Sequence, residues 1–143
     1  MRFIHRPRRA AWIAVLCLLA NACGADGRFV MIGTARAPST SGIVEVDDID
    51  GGNTLVTVHL DYLHPPTRLE QGYSTYVVWF QGAGKEKIAI RAGTLAYDSD
   101  ARTGDFSGTS PMQKFVVKIT AEREASPSRP SDYVIATQQV TVD

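Results

Sequence analysis

Phe115-Val116-Val117-Lys118-Ile119-Thr120-Ala121-Glu122 carries the cleanest two-residue alternation in the chain. Phe115, Val117, Ile119 and Ala121 fall on one side of an extended backbone, and Val116, Lys118, Thr120 and Glu122 on the other. This predicts an antiparallel strand with one dry and one wet face, since a strand covered on both sides reads as an unbroken apolar run. Working outward, further strands are expected at 28–34, 43–47, 54–60, 74–80, 87–97, 105–108 and 132–142. Asp50-Gly51-Gly52-Asn53 predicts a tight reversal, because Gly and Asn tolerate positive φ, so 43–47 and 54–60 read as a hairpin.

His64-Pro65-Pro66 must leave the sheet, because proline removes a ladder donor and constrains the residue before it. The stretch from there to about Gly72 is a crossover of the kind that joins two sheets. Residues 74–80 are apolar on both faces, which predicts a central strand with Trp79 in the core. Within 87–97, Ala92-Gly93 predicts a bulge in a long or broken strand. Asp98 to Gly104 reads as a polar hairpin loop, and Arg123 to Ser131, with Pro127 and Pro130, as another. No window after Cys23 holds a 3.6-residue apolar period. The expectation is an all-β, antiparallel, immunoglobulin-like β-sandwich of seven or eight strands, without the Cys–Trp–Cys signature of true immunoglobulin domains.

Tyr76-Val77-Val78-Trp79, Gly93-Thr94-Leu95, Arg102-Thr103-Gly104 and 115–122, followed by Pro127 and Pro130-Ser131, resemble the extracytoplasmic domain of anti-sigma-K factors. The resemblance covers about 60 residues, and its motifs are structural. It implies a small β-sandwich acting outside the cytoplasm. Ala125-Ser126 stand where that family has Gly-Gly, and no sigma-binding region or membrane helix is read in these residues, so anti-sigma activity is not implied.

The first 22 residues have the layout of an export signal. Arg2, Arg6, Arg8 and Arg9 form a basic start, and Ala10 to Ala20 an apolar run of 11 residues, against the roughly 20 that span a bilayer. Ala20-Asn21-Ala22 fits ordinary signal peptidase cleavage. Ala20-Asn21-Ala22-Cys23 also resembles the bacterial lipobox, which implies that Cys23 receives a diacylglycerol thioether and becomes the acylated first residue, a stable anchor without a spanning helix. The expected organisation is a signal peptide at 1–22, a lipidated tether at 23–27 and a β-sandwich domain at 28–143. Gly24, rather than Asp, after the cysteine points to the outer membrane where two membranes exist.

Four of the 15 basic residues lie in the signal and all 15 acidic residues follow it, so the exported chain carries about −4. Nucleic-acid binding would need a clustered basic face and is not expected. Cys17 lies in the signal, leaving Cys23 as the one mature cysteine, so no internal disulfide can form. The 121 residues from Cys23 onward suffice for one domain stabilised by burial.

The residues give few leads to chemistry. His59-x-Asp61-x-x-His64 places two imidazoles and a carboxylate near one strand end, a donor set for a transition metal. Residues 47–53 are acid-rich but lack the spacing of a calcium loop and read as a solvated hairpin end. No nucleophile elbow occurs. A site assembled from Ser74, His64 and Asp61 is singled out by nothing in the sequence. No catalytic residue and no cofactor is expected. Tyr62, Tyr73, Tyr76, Trp79, Phe80 and Tyr97 are mainly core candidates, with Tyr62 and Tyr73 the ones expected at the surface. The expected function is a non-catalytic interaction or envelope-structural lipoprotein, held to the membrane through Cys23 and contacting a protein or glycan. A metal or small-ligand sensor using His59, Asp61 and His64 is the alternative.

Overall fold

The computed structural model describes residues 27–84 and 87–142. The expected signal peptide, Cys23 and residues 24–26 of the expected tether lie outside them. The described residues form nine strands: β1 Gly27–Gly33, β2 Ser41–Ile49, β3 Asn53–Asp61, β4 Thr75–Gly82, β5 Ala89–Thr94, β6 Ala96–Asp98, β7 Thr103–Ser110, β8 Lys114–Glu122 and β9 Val134–Thr141. All pair antiparallel, in the order β5-β4-β8-β9-β1-β2-β3-β7-β6. Among the described residues no helix is long and apolar enough to cross a membrane.

The fold is the expected antiparallel β-sandwich, with β1 joining its halves by pairing β9 on one side and β2 on the other. Phe115, Val117, Ile119 and Ala121 of β8 meet Val44 and Val46 of β2 and Val56, Val58 and Leu60 of β3 in a single core. Burial of such side chains contributes roughly 1.5–3 kcal/mol each, which gives a chain of this size its stability. The β2–β3 hairpin closes through Gly51 and Gly52, at φ 88° and 76°, where a side chain would be strained. The Pro65-Pro66 segment carries the crossover, including a short 3-10 turn at Pro66–Arg68, from β3 to β4, which sit in different halves of the strand order.

Nine strands form rather than seven or eight because the expected strand at 87–97 divides at Leu95. Leu95 turns into the core and donates its backbone N–H to Tyr76 O at 2.9 Å. The residues before it pair with β4, and those after it pair with β7. One segment therefore supplies both terminal strands of the sheet. The register of β5 slips by one residue at Ala92, the bulge read from Ala92-Gly93.

The expected wet face of β8 holds only for its first half. Lys118 is half-buried, while Thr120 and Glu122 are buried. Trp79 is buried as expected, at 1% exposure, yet it does not belong to the main core. Tyr76, Val78 and Phe80 of β4 point into that core, so alternation puts Trp79 on the opposite face of the sheet. The segment after β8 is pinned over that face. Arg91, the cross-strand neighbour of Trp79, donates two bonds to Ala125 O, and Ser131 Oγ donates to Ala121 O at 2.7 Å.

Candidate functional site

His59 and Asp61 share the outward face of β3, as their spacing predicts, and the imidazole lies between two carboxylates. Its Nε2 is 3.3 Å from Asp61 Oδ1, and its Nδ1 is 2.6 Å from Asp105 Oδ1. Asp105 is the direct cross-strand partner of His59 on β7. The hydrogen bond to Asp105 holds the His59 pKa above the ordinary imidazole value, partial burial works against it, and the negative charges of Asp105 and Asp61 add to the rise. This pairing stabilises the imidazolium form. A metal needs the neutral ring with a free nitrogen, and both nitrogens here face carboxylates.

His64 is directed elsewhere. Its Nδ1 lies 3.3 Å from Arg102 Nη2, whose guanidinium only donates, so this nitrogen acts as the acceptor. A fixed positive charge there also opposes a cation. Among the described residues, no group of three or more His, Cys, Asp or Glu side chains is arranged to hold a metal ion. The trio His59, Asp61 and His64 is thus not assembled. Ser74 is also committed, since its hydroxyl donates to Arg123 O at 2.9 Å.

The corner that carries His64 is a structural node. Arg102, at φ 58°, accepts the Leu63 N–H at its own carbonyl and donates Nε to Leu63 O at 3.2 Å. Tyr76 donates its hydroxyl to His64 O at 2.5 Å, and burial pushes the phenol pKa well above its ordinary value. Tyr97 packs edge-on against Tyr76, with centroids 5.9 Å apart. Tyr62 is exposed as expected, and Tyr73 is half-buried against Tyr133.

A second arrangement surrounds the loop after β8. The Trp79 indole N–H donates to Thr120 Oγ1 at 2.8 Å, and the Thr120 hydroxyl donates to Glu122 Oε1 at 2.5 Å. The Ser131 backbone N–H, from the far side of the loop, donates to the same Oε1 at 2.7 Å. Glu122, 5% exposed, lines an open cleft of about 740 Å³ together with Tyr73, Arg123, Pro127, Arg129 and Asp132. Arg123 lies over the Tyr73 ring at 5.4 Å, and Arg36 over the Tyr133 ring at 4.7 Å. A cleft of this volume, walled by an aromatic ring and two prolines around a buried carboxylate, is suited to a polar group on an amphipathic stem.

Neither Asp105 as the partner of His59 nor the Glu122 relay was legible in the sequence. Alternation puts Asp105 outward on its strand, but the pairing of β3 with β7 is set by topology. Glu122 falls on the wet side of the period-2 pattern, and nothing local says that a loop returns to cover it. The chain matches no family model, and no curated protein is significantly similar to it.

Proposed function

We propose that this chain is an exported lipoprotein, anchored to the cell envelope through acylated Cys23, whose β-sandwich is a non-catalytic module for contacting a protein or glycan. The observation that carries the reading is the close succession of export segment and fold. β1 opens at Gly27, four residues after Cys23, and its Met31 is fully buried in the core. An extended tether of four residues reaches at most about 14 Å, so the domain would sit against the membrane surface. Acyl chains at about 0.8 kcal/mol per buried methylene would hold it there.

The loop end supports the contact role. The cleft beside Glu122 and Tyr73 presents aromatic and charged groups on a rigid scaffold, the composition common at recognition surfaces. The outer membrane is the favoured location where two membranes exist, and no nucleic-acid partner is proposed. The sensor alternative lacks its third ligand, because His64 faces Arg102.

Mass spectrometry of the mature N-terminus from the native host tests the tether. A diacylglyceryl modification on Cys23 is expected, together with recovery in the membrane fraction. An unmodified Cys23 in a soluble fraction would overturn it. A pulldown from detergent-solubilised envelope tests the contact role, with one reproducible partner expected.

A further inference from the structure

We infer that the cleft beside the Pro127–Pro130 segment is a recognition site for a single organic cation, the ammonium or guanidinium of a lysine or arginine side chain presented by a partner protein. The inference rests on the reading of this domain as a non-catalytic interaction module and names the chemistry of its partner. Glu122 carries it. The residue is 5% exposed, and Oε1 already accepts from the Thr120 hydroxyl and the Ser131 N–H. Oε2 has no hydrogen-bond partner among the described residues. Yet no buried side-chain nitrogen or oxygen among them is left without one. Oε2 is therefore reachable, and the opening that Glu122 lines is the cleft.

The two groups that hold Oε1 are neutral, and no ion pair among the described residues includes Glu122. Oε2 is left to the water of the open cleft, and a cation delivered there would replace that water with a charge-assisted hydrogen bond in a partly enclosed site. The walls fit the rest of such a side chain. The Tyr73 ring and Pro127 and Pro130 offer apolar surface to a methylene stem, in the way long cationic side chains commonly lie. The rim selects for the presentation. The rim carries both signs, Arg123 and Arg129 beside Glu124 and Asp132, so a partner that presents one cation between two carboxylates can pair with Glu122 and with both rim arginines, which a free polycation cannot.

The test uses the mature chain, in which Trp79 is the only tryptophan and its indole N–H reports directly on the relay ending at Glu122. The probe is the blocked tripeptide acetyl-Asp-Lys-Asp-amide, with acetyl-Asp-Ala-Asp-amide and spermidine as comparisons. A saturable shift of the Trp79 indole and Ser131 amide resonances with the lysine peptide is expected, at least tenfold weaker for either comparison. Glu122→Gln keeps an acceptor for Thr120 and Ser131 while removing the charge, and should weaken binding at least tenfold. Tyr73→Leu, which removes one wall, carries the same expectation if Glu122→Gln fails to fold. Absence of a saturable shift, equal binding of the alanine peptide or spermidine, or undiminished binding by the charge-removed variant would each overturn the inference. None of these outcomes bears on the lipid at Cys23, so the two readings fail separately.

Discussion

Trp79 and Thr120, on neighbouring strands β4 and β8, are joined by an indole N–H to hydroxyl bond of 2.8 Å on the face of the sheet away from the main core. The threonine hydroxyl passes its own proton toward Glu122, so one small side chain serves as acceptor and donor in the same relay. Thr120→Val should therefore cost more than Thr120→Ser. The valine orphans both the indole N–H and one bond of the carboxylate, at about 1–3 kcal/mol for each buried group left unpaired, while the serine keeps the hydroxyl that serves both. Urea denaturation followed by circular dichroism checks the order, and a smaller loss for the valine variant would contradict the relay.

The exposed pair of His59 and Asp105 should leave a pH signature. Because the folded pKa of His59 is raised, its contribution is fully present below the unfolded imidazole value of about 6.5. It is lost as pH rises through the higher folded value. Both side chains are substantially solvated, at 47% and 63% exposure, so the effect is about 0.5 kcal/mol. Asp105→Asn should flatten the stability difference between pH 6 and pH 8. Matching slopes for the two proteins would show that the pair contributes nothing.

Gly104→Ala should destabilise by about 1–3 kcal/mol, since a Cβ there would collide with the side chains of Leu95 and Leu63. Gly84→Ala is the matched control. A Cβ at Gly84 meets nothing within 4 Å, so its thermal midpoint should stay close to that of the parent.

Core and surface on two strands that alternate alike should separate sharply. Ile119→Ala empties a fully buried position and should cost about 2–5 kcal/mol. Ile32→Ser changes a side chain that is 67% exposed and should stay within about 0.5 kcal/mol. Equal losses in chemical denaturation would mean that the outer face of β1 is covered.

Much of the fold was legible because antiparallel strands write their burial into a period of two. Phe115, Val117, Ile119 and Ala121 entered the core as their spacing required, and the Gly51-Gly52 reversal and the Ala92 bulge sit where residue chemistry put them. The misses are all long-range. Leu95 divides a strand because Tyr76, far away in the chain, offers its carbonyl. Trp79 lies outside the main core because Tyr76, Val78 and Phe80 take the inner face of β4, and its burial on the other face depends on the loop that Arg91 holds at Ala125. The candidate site is less legible in the sequence than the fold. His59 and Asp61 share a face as expected, but Asp105 and Ser131 arrive from other elements, and His64 is claimed by Arg102.

The division of one segment at Leu95 has a consequence for aggregation. A raw strand edge is a template for pairing with another chain. In this protein the flanks of both β4 and β7 are guarded by the same ten residues, 89–98. Local detachment of that short piece would bare two edges at once, on opposite ends of the sheet, each able to recruit a neighbour. Such a molecule becomes bivalent in a single step, and bivalence is the minimum needed to grow a linear polymer. The burial of Leu95 in the core is thus an anchor shared by both guarded edges.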